Sequence, residues 1–174
     1  MQFTEKTVIL NMGFVGIRHA EHLPRERKRT MQYKVFGDTL VIRLQRGEEL
    51  LSGLKKACEA EQVTAAEVTG IGAADHAVVG VYSFETQQYI SNEFNEELEI
   101  TNLLGSVTLP PEGSSDTVYP HIHACFASKY GQAIGGHLNE CRISGTCELF
   151  VRKLPFVIDR MKDCETGLNI LRLE

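Results

Sequence analysis

One stretch of this chain repeats its apolar residues at helical spacing, and almost everything after it does not. In "GEELLSGLKKACEAEQ" (47–62), Leu50, Leu51, Leu54, Ala57 and Cys58 recur on one face, while Lys55, Lys56 and Glu59 face away. Glu48 and Glu49 suit the positive end of such a helix. The segments 64–84, 87–110 and 132–154, and the run beginning at Tyr119, are β-rich and punctuated by turn residues instead. One defensible helix among so many strand-like runs leaves few architectures. The pattern predicts an α+β fold: a largely antiparallel β-sheet of about seven strands packed around one main α-helix.

Local signals refine that reading. In "YKVFGDTLVIRLQRG" (33–47), two β-rich runs flank Gly37-Asp38, a hairpin signal, and Ile42 and Leu44 alternate with Val41 and Arg43. "PEGSSDTV" (111–118) is a polar loop, and "GLNILRL" (167–173) is expected to close the sheet. Residues 1–30 differ: they lack sustained periodicity, include Pro24 and end in the basic run "RERKR". They read as a poorly ordered or loosely attached N-terminal extension, with residues 31–174 as the single domain and Met31 as a candidate translation start. No small-residue cleavage site follows "VILNMGFVGI", so no signal peptide is expected.

Charge and cysteines limit the partners. Residues 31–174 hold 12 Lys/Arg against 20 Asp/Glu, a net of −8, so the domain repels a phosphate backbone. No apolar run is long enough for a membrane-spanning helix, and no membrane partner is expected. The five cysteines (58, 125, 141, 147, 164) are scattered, odd in number and free of C-x-x-C spacing. They fit reduced thiols in a cytoplasmic protein better than a disulfide framework.

Several motifs can be weighed. "GIGAAD" (70–75) lacks the third glycine of a dinucleotide loop and runs on into "HAVVGVYSF", a strand, so Gly70 and Gly72 predict a bulge or tight bend. Cys125 near His123 is better read as a buried strand residue than as a nucleophile. Cys125 and Cys141 are minor candidates as metal ligands, and Glu97 and Glu99 are weak acidic ones. The stronger signal lies in "YPHIHACFASKYGQAIGGHL" (119–138). In a strand, His121 and His123 project to one face, with Ile122 and Ala124 on the other. A third imidazole from His137 on a neighbouring strand would complete a three-nitrogen site with an open position. The preceding Gly135-Gly136 would let the backbones approach closely. Such a site takes a divalent metal ion; zinc is a candidate, and imidazoles suit iron, nickel or copper as well.

The blocks "GEELLSGLKKACEAEQVTAAEVTGIGAADHAVVGVY", "ELEITNLLGSVTL", "PHIHACFAS" and "AIGGHL", in this order, resemble the plant-and-prokaryote conserved (PPC, or DUF296) domain family in its stand-alone bacterial form. The resemblance spans about residues 33–173. It implies an antiparallel sheet around one helix, a homotrimer, and a bound metal ion carried onto His121, His123 and His137. It also carries DNA as a partner, with a DNA-associated or regulatory role. Plant members, however, append an arginine-glycine-proline hook for the minor groove, and "RERKRT" has neither that glycine nor that proline. Their partner-binding segment is matched only at Leu98-Glu99-Ile100. The acidic domain disfavours DNA. Three classes of function stay open: a DNA-associated regulatory module, a metal-dependent enzyme acting on a small molecule, and a nonenzymatic interaction scaffold.

Overall fold

The computed structural model describes residues 30–173. The basic run Arg25–Arg29 and the expectation about the extension therefore lie outside the described residues. Nine strands and one helix follow in order: β1 (Gln32–Phe36), β2 (Thr39–Gln45), α1 (Leu50–Ala60), β3 (Ala65–Ser83), β4 (Gln88–Phe94), β5 (Leu98–Thr108), β6 (Tyr119–Ser128), β7 (Ala133–Lys153), β8 (Arg160–Lys162) and β9 (Asn169–Leu171).

Seven of the strands form one antiparallel sheet in the order β1-β2-β7-β6-β5-β3-β4. The two longest strands make it more than an open sheet. β3 and β7 also pair with each other, from Ala66 opposite Lys153 to Gly80 opposite His137, and this closes β3, β5, β6 and β7 into a ring. Strands this long must bend, and the ladders shift register where they do, including between Gly70 and Gly72 as their sequence implied.

The core follows the alternation. Leu40, Ile42 and Leu44 of β2 are fully buried, as are Leu149 and Val151 of β7. Helix α1 packs against β2, β6 and β7, with Leu50, Leu54, Ala57 and Cys58 all buried. Its start is held by Glu49, whose carboxylate accepts from the Leu51 and Ser52 amides, satisfying two of the helix's unpaired N–H groups. The same carboxylate accepts from the Cys141 amide and so ties the helix to β7. Glu48 does not serve the helix; it accepts from the Met31 and Gln45 amides. Because Leu54 is 0 % exposed, Leu54→Ala should cost about 2–5 kcal/mol, read from urea unfolding of both proteins. A loss under about 0.5 kcal/mol would mean the site behaves as surface.

One expectation is corrected. The C-terminal run 167–173 does not close the main sheet: β9 pairs with β8 in a separate two-stranded hairpin. The turn between them decides this. Asp163 accepts from both the amide and the hydroxyl of Thr166, and Gly167 takes the left-handed φ of 73° that the tight return needs. The main sheet keeps β1 and β4 as its edges, and the short strand pairs with β8 rather than with either. Instead, the hairpin lies over β5 and β3, held by Arg160 to Thr108 and by the Tyr82 hydroxyl donating to the Thr166 carbonyl.

Candidate metal centre

Strand β6 sorts its side chains by parity. Ile122, Ala124 and Phe126 point into the core at 1 %, 5 % and 0 % exposure, which turns Tyr119, His121, His123 and Cys125 outward. Across the ladder to β7, His137 sits directly opposite His123. The glycines before it permit the approach. A Cβ at Gly135 would collide with the Ala124 carbonyl oxygen, and one at Gly136 would lie 2.7 Å from the Gly80 oxygen. Strand β7 therefore wedges between β6 and β3 with no side chain in the way.

The result is a triangle of imidazoles. Ring centroids are 5.3 Å apart for His121–His123, 5.2 Å for His121–His137 and 5.5 Å for His123–His137. One ring nitrogen from each lies within 4.8 Å of the others. Among the described residues, the other candidates do not join this group. Cys125 shares the face but lies outside the cluster. Cys141 is fully buried, and burial pushes its thiol up to about 12, which keeps it protonated. Glu97 and Glu99 lie at the opposite end of the β5–β6 ladder, where Glu99 faces Ala127, whereas His121 faces Ser106.

The chemistry of these donors suits a divalent metal. Burial lowers the His121 pKa to about 4, helped by the Arg160 charge and then by His137 and His123. Burial also lowers that of His137, with contributions from His123 and Arg160. Both imidazoles are thus neutral at pH 7, the form that ligates. His137 has a buried Nδ1 with no hydrogen-bond partner among the described residues. An orphaned nitrogen of that kind is costly unless something else uses it.

Those shifts fix a pH dependence. His121 takes its proton near pH 6.5 when unfolded but only near 4 when folded. Between these values the unfolded chain binds more protons, so stability is present above about 6.5 and drains away as pH falls toward 4. The metal-free protein should show a falling Tm across that window. His121→Gln should flatten the slope.

Beside the triangle is a pocket of about 390 Å3. His121, His137, Tyr89, Tyr119 and Ser106 of the main sheet line it, together with Arg160, Leu168, Asn169, Ile170 and Leu171 of the C-terminal hairpin. Tyr89 packs on His137 with ring centroids 5.1 Å apart. The Arg160 guanidinium lies 4.7 Å from the Tyr119 ring centroid, a cation–π contact. It donates to the Thr108 hydroxyl (3.0 Å), the Asn169 carbonyl (2.8 Å) and the Ser106 hydroxyl (3.3 Å). Apart from the two histidines, none of these wall residues was singled out from the sequence as a site residue. Tyr119 had a signal, because it precedes His121 by two in the same strand. Arg160, in "FVIDRMKD", had none.

Comparison with known proteins places this geometry in context. Residues 31–155 match the family model described as the Plants and Prokaryotes Conserved (PCC) domain. A metal-containing protein from Archaeoglobus fulgidus is 31% identical, with a TM-score of 0.70 over 82% of this chain and 97% of its own. A plant- and prokaryote-conserved protein from Pyrococcus horikoshii is 26% identical, with a TM-score of 0.70 over 82% of this chain and 94% of its own. A protein from Bacteroides thetaiotaomicron, named as a supposed DNA-binding protein, is 25% identical. Its TM-score is 0.75 over 83% of this chain and 98% of its own. No curated protein sequence gives a significant match.

Proposed function

The chain belongs to the Plants and Prokaryotes Conserved domain family, and on that premise we propose that it is a metal-binding protein that holds a divalent ion through His121, His123 and His137. The observation that carries this reading is the convergence of three imidazoles, with one nitrogen of each within 4.8 Å of the others. The orphaned Nδ1 of His137 and the neutral state of His121 and His137 support it. So does a 31% identical relative that is described as metal-containing. Zinc is the leading candidate for a three-imidazole site. Such an ion would serve as a Lewis acid toward an oxygen ligand entering the adjoining pocket. The chain's own residues would keep two donors unprotonated, stack Tyr89 behind His137 and wall the ligand with the hairpin.

The test is metal analysis of the full chain purified without a histidine tag, before and after incubation with zinc and desalting. About one divalent ion per chain is expected for a single three-histidine site. Less than a tenth of that after zinc incubation would overturn the reading.

Residues 31–174 are, in this proposal, the working domain, and it assembles as a homotrimer. One row across the sheet runs from His123 to Leu104, Thr69 and Phe150 on successive strands. Leu104 and Phe150 are 51 % and 49 % exposed, with Ile71 nearby at 59 %. A partner subunit would cover this apolar patch, which borders the histidines. DNA binding, the role in the Bacteroides protein's name, is the weaker reading. Its cost is the −8 net charge of residues 31–174. No helix among the described residues is long and apolar enough to cross a membrane. Cys58, Cys141 and Cys147 are buried free thiols, which favours a reducing, cytoplasmic setting.

A further inference from the structure

Arg160 is the one charged side chain buried among the described residues, at 2 % exposure. A charge in that position is normally paired, because an unpaired ion removed from water is heavily penalised. Yet no carboxylate lies within 4.0 Å of it among the described residues. Its three hydrogen bonds all go to neutral oxygens, those of Thr108, Ser106 and Asn169. A guanidinium has five N–H donors, which leaves two unspent. They belong to a residue that lines the same pocket as His121 and His137.

The charge count of this pocket is one-sided. Its ionisable groups are Arg160, two histidines and two tyrosines, with no Asp or Glu in the lining. A divalent ion at the histidines would add further positive charge with nothing to offset it. Neutrality requires an anion from solution. The aliphatic part of the lining selects its kind. Leu168, Ile170 and Leu171 lie on the same hairpin as Arg160, which pairs directly with Leu171. Their surface would accommodate a hydrocarbon body but leave a bare inorganic oxyanion partly unsolvated.

We propose that this pocket binds a small organic carboxylate, paired through its two oxygens with the unspent N–H groups of Arg160, with its apolar body against Ile170 and Leu171. Arginine suits the task because its planar fork matches a carboxylate bidentately. The carboxylate lies beside the histidine triangle, so the ligand would be held where the ion acts. The inference rests on the metal reading for that last point only. The pairing with Arg160 stands without it.

The experiment is calorimetric titration of the zinc-incubated full chain with butanoate, with its neutral isostere butanamide and with inorganic phosphate. Butanoate should bind at least about tenfold more tightly than butanamide, the scale expected of a charge-assisted bidentate pair. Phosphate should bind more weakly than butanoate. Arg160→Gln should abolish the preference for butanoate over butanamide. Because Arg160 also tethers the hairpin, Arg160→Lys provides a second variant: it keeps the charge and loses the fork, and should retain part of the preference. Equal affinity for acid and amide, an unchanged preference in both variants, or tighter binding of phosphate would each overturn the proposal. Metal analysis of the same samples separates the two readings. Zinc at one per chain without a preference for butanoate sinks this inference alone. A preference for butanoate in protein that retains no zinc sinks the metal reading and leaves the anion pocket standing.

Discussion

His123→Ala should strip the protein of most of its response to zinc while leaving the core untouched. The substitution is clean because His123 is exposed and points away from Ile122 and Ala124, which carry the packing of β6. Losing even an outer-shell partner typically weakens a metal site by about 10–100-fold, so losing one of three ligands should cost at least about 100-fold. Linkage turns that into a thermal readout. At a thousandfold excess over its dissociation constant, zinc stabilises the native wild type by at most about 4 kcal/mol, and a 100-fold weaker site by at most about 1.4 kcal/mol. His76→Ala is the control. That histidine bonds to Asn95 and Glu140, outside the triangle, and its loss should leave the zinc response intact. A zinc-induced rise in Tm as large in His123→Ala as in the wild type would remove His123 from the site.

Gly105→Ala should be the most damaging single methyl in the described chain. Gly105 of β5 lies opposite Ile122 of β6. A Cβ there would fall well inside contact with the His121 carbonyl oxygen and within 2.9 Å of the Ile122 Cα. These are backbone atoms, so no side-chain rotation relieves the clash; β6 itself must shift, and Ile122 is only 1 % exposed. Overpacking of this kind costs about 1–3 kcal/mol where side chains can adjust, and here the figure should lie at or beyond the upper end. Displacing β6 also moves His121, so zinc affinity should fall with stability. Gly145→Ala is the matched comparison. Its Cβ would meet only the Ala73 Cβ, at 3.8 Å, and the change should stay within about 0.5 kcal/mol. Urea unfolding with and without zinc reads both effects, and a Gly105→Ala protein as stable as Gly145→Ala would mean that β6 is not pinned there.

What the sequence disclosed and what it hid divide along one physical line. Helix α1 was legible because Leu50, Leu54 and Cys58 repeat at its own period, and the hairpin at Gly37-Asp38 because the turn needs that glycine, at φ 61°. His121 and His123 shared a face by strand alternation alone. Each of these is a local property, written within a few residues. The pairing of β3 with β7 joins Ala66 to Lys153, and no local pattern encodes it. The fate of the last strand was equally hidden: a short apolar run looks the same whether it extends a sheet or folds back on itself. Arg160 was hidden for the same reason. Its neighbours Thr108, Ser106 and Tyr119 come from strands far away in sequence, and its burial is known only once they are assembled. His137 was linked to the other two by the glycine pair before it and by the family resemblance, since its strand partner is not written in the local pattern.

All three histidines lie on a single hairpin, β6 and β7 joined by the short turn at 129–132. Its turn is closed by the Gly131 amide on the Ser128 carbonyl and the Ser128 amide on that of Gln132. A β-hairpin can form in about 1–10 μs, whereas the ring must wait for contacts as distant as Ala66 with Lys153, the kind of non-local pairing that slows folding. The cation's ligands can therefore become neighbours in a chain that has yet to close. The Arg160 pocket exists only at the end, when the hairpin of β8 and β9 has docked on a completed ring. A metal gripped early would also favour the incomplete chain, so its effect on overall stability would fall short of its native affinity. A carboxylate ligand can recognise only the finished molecule. The ion would belong to the history of folding, and the anion to its outcome.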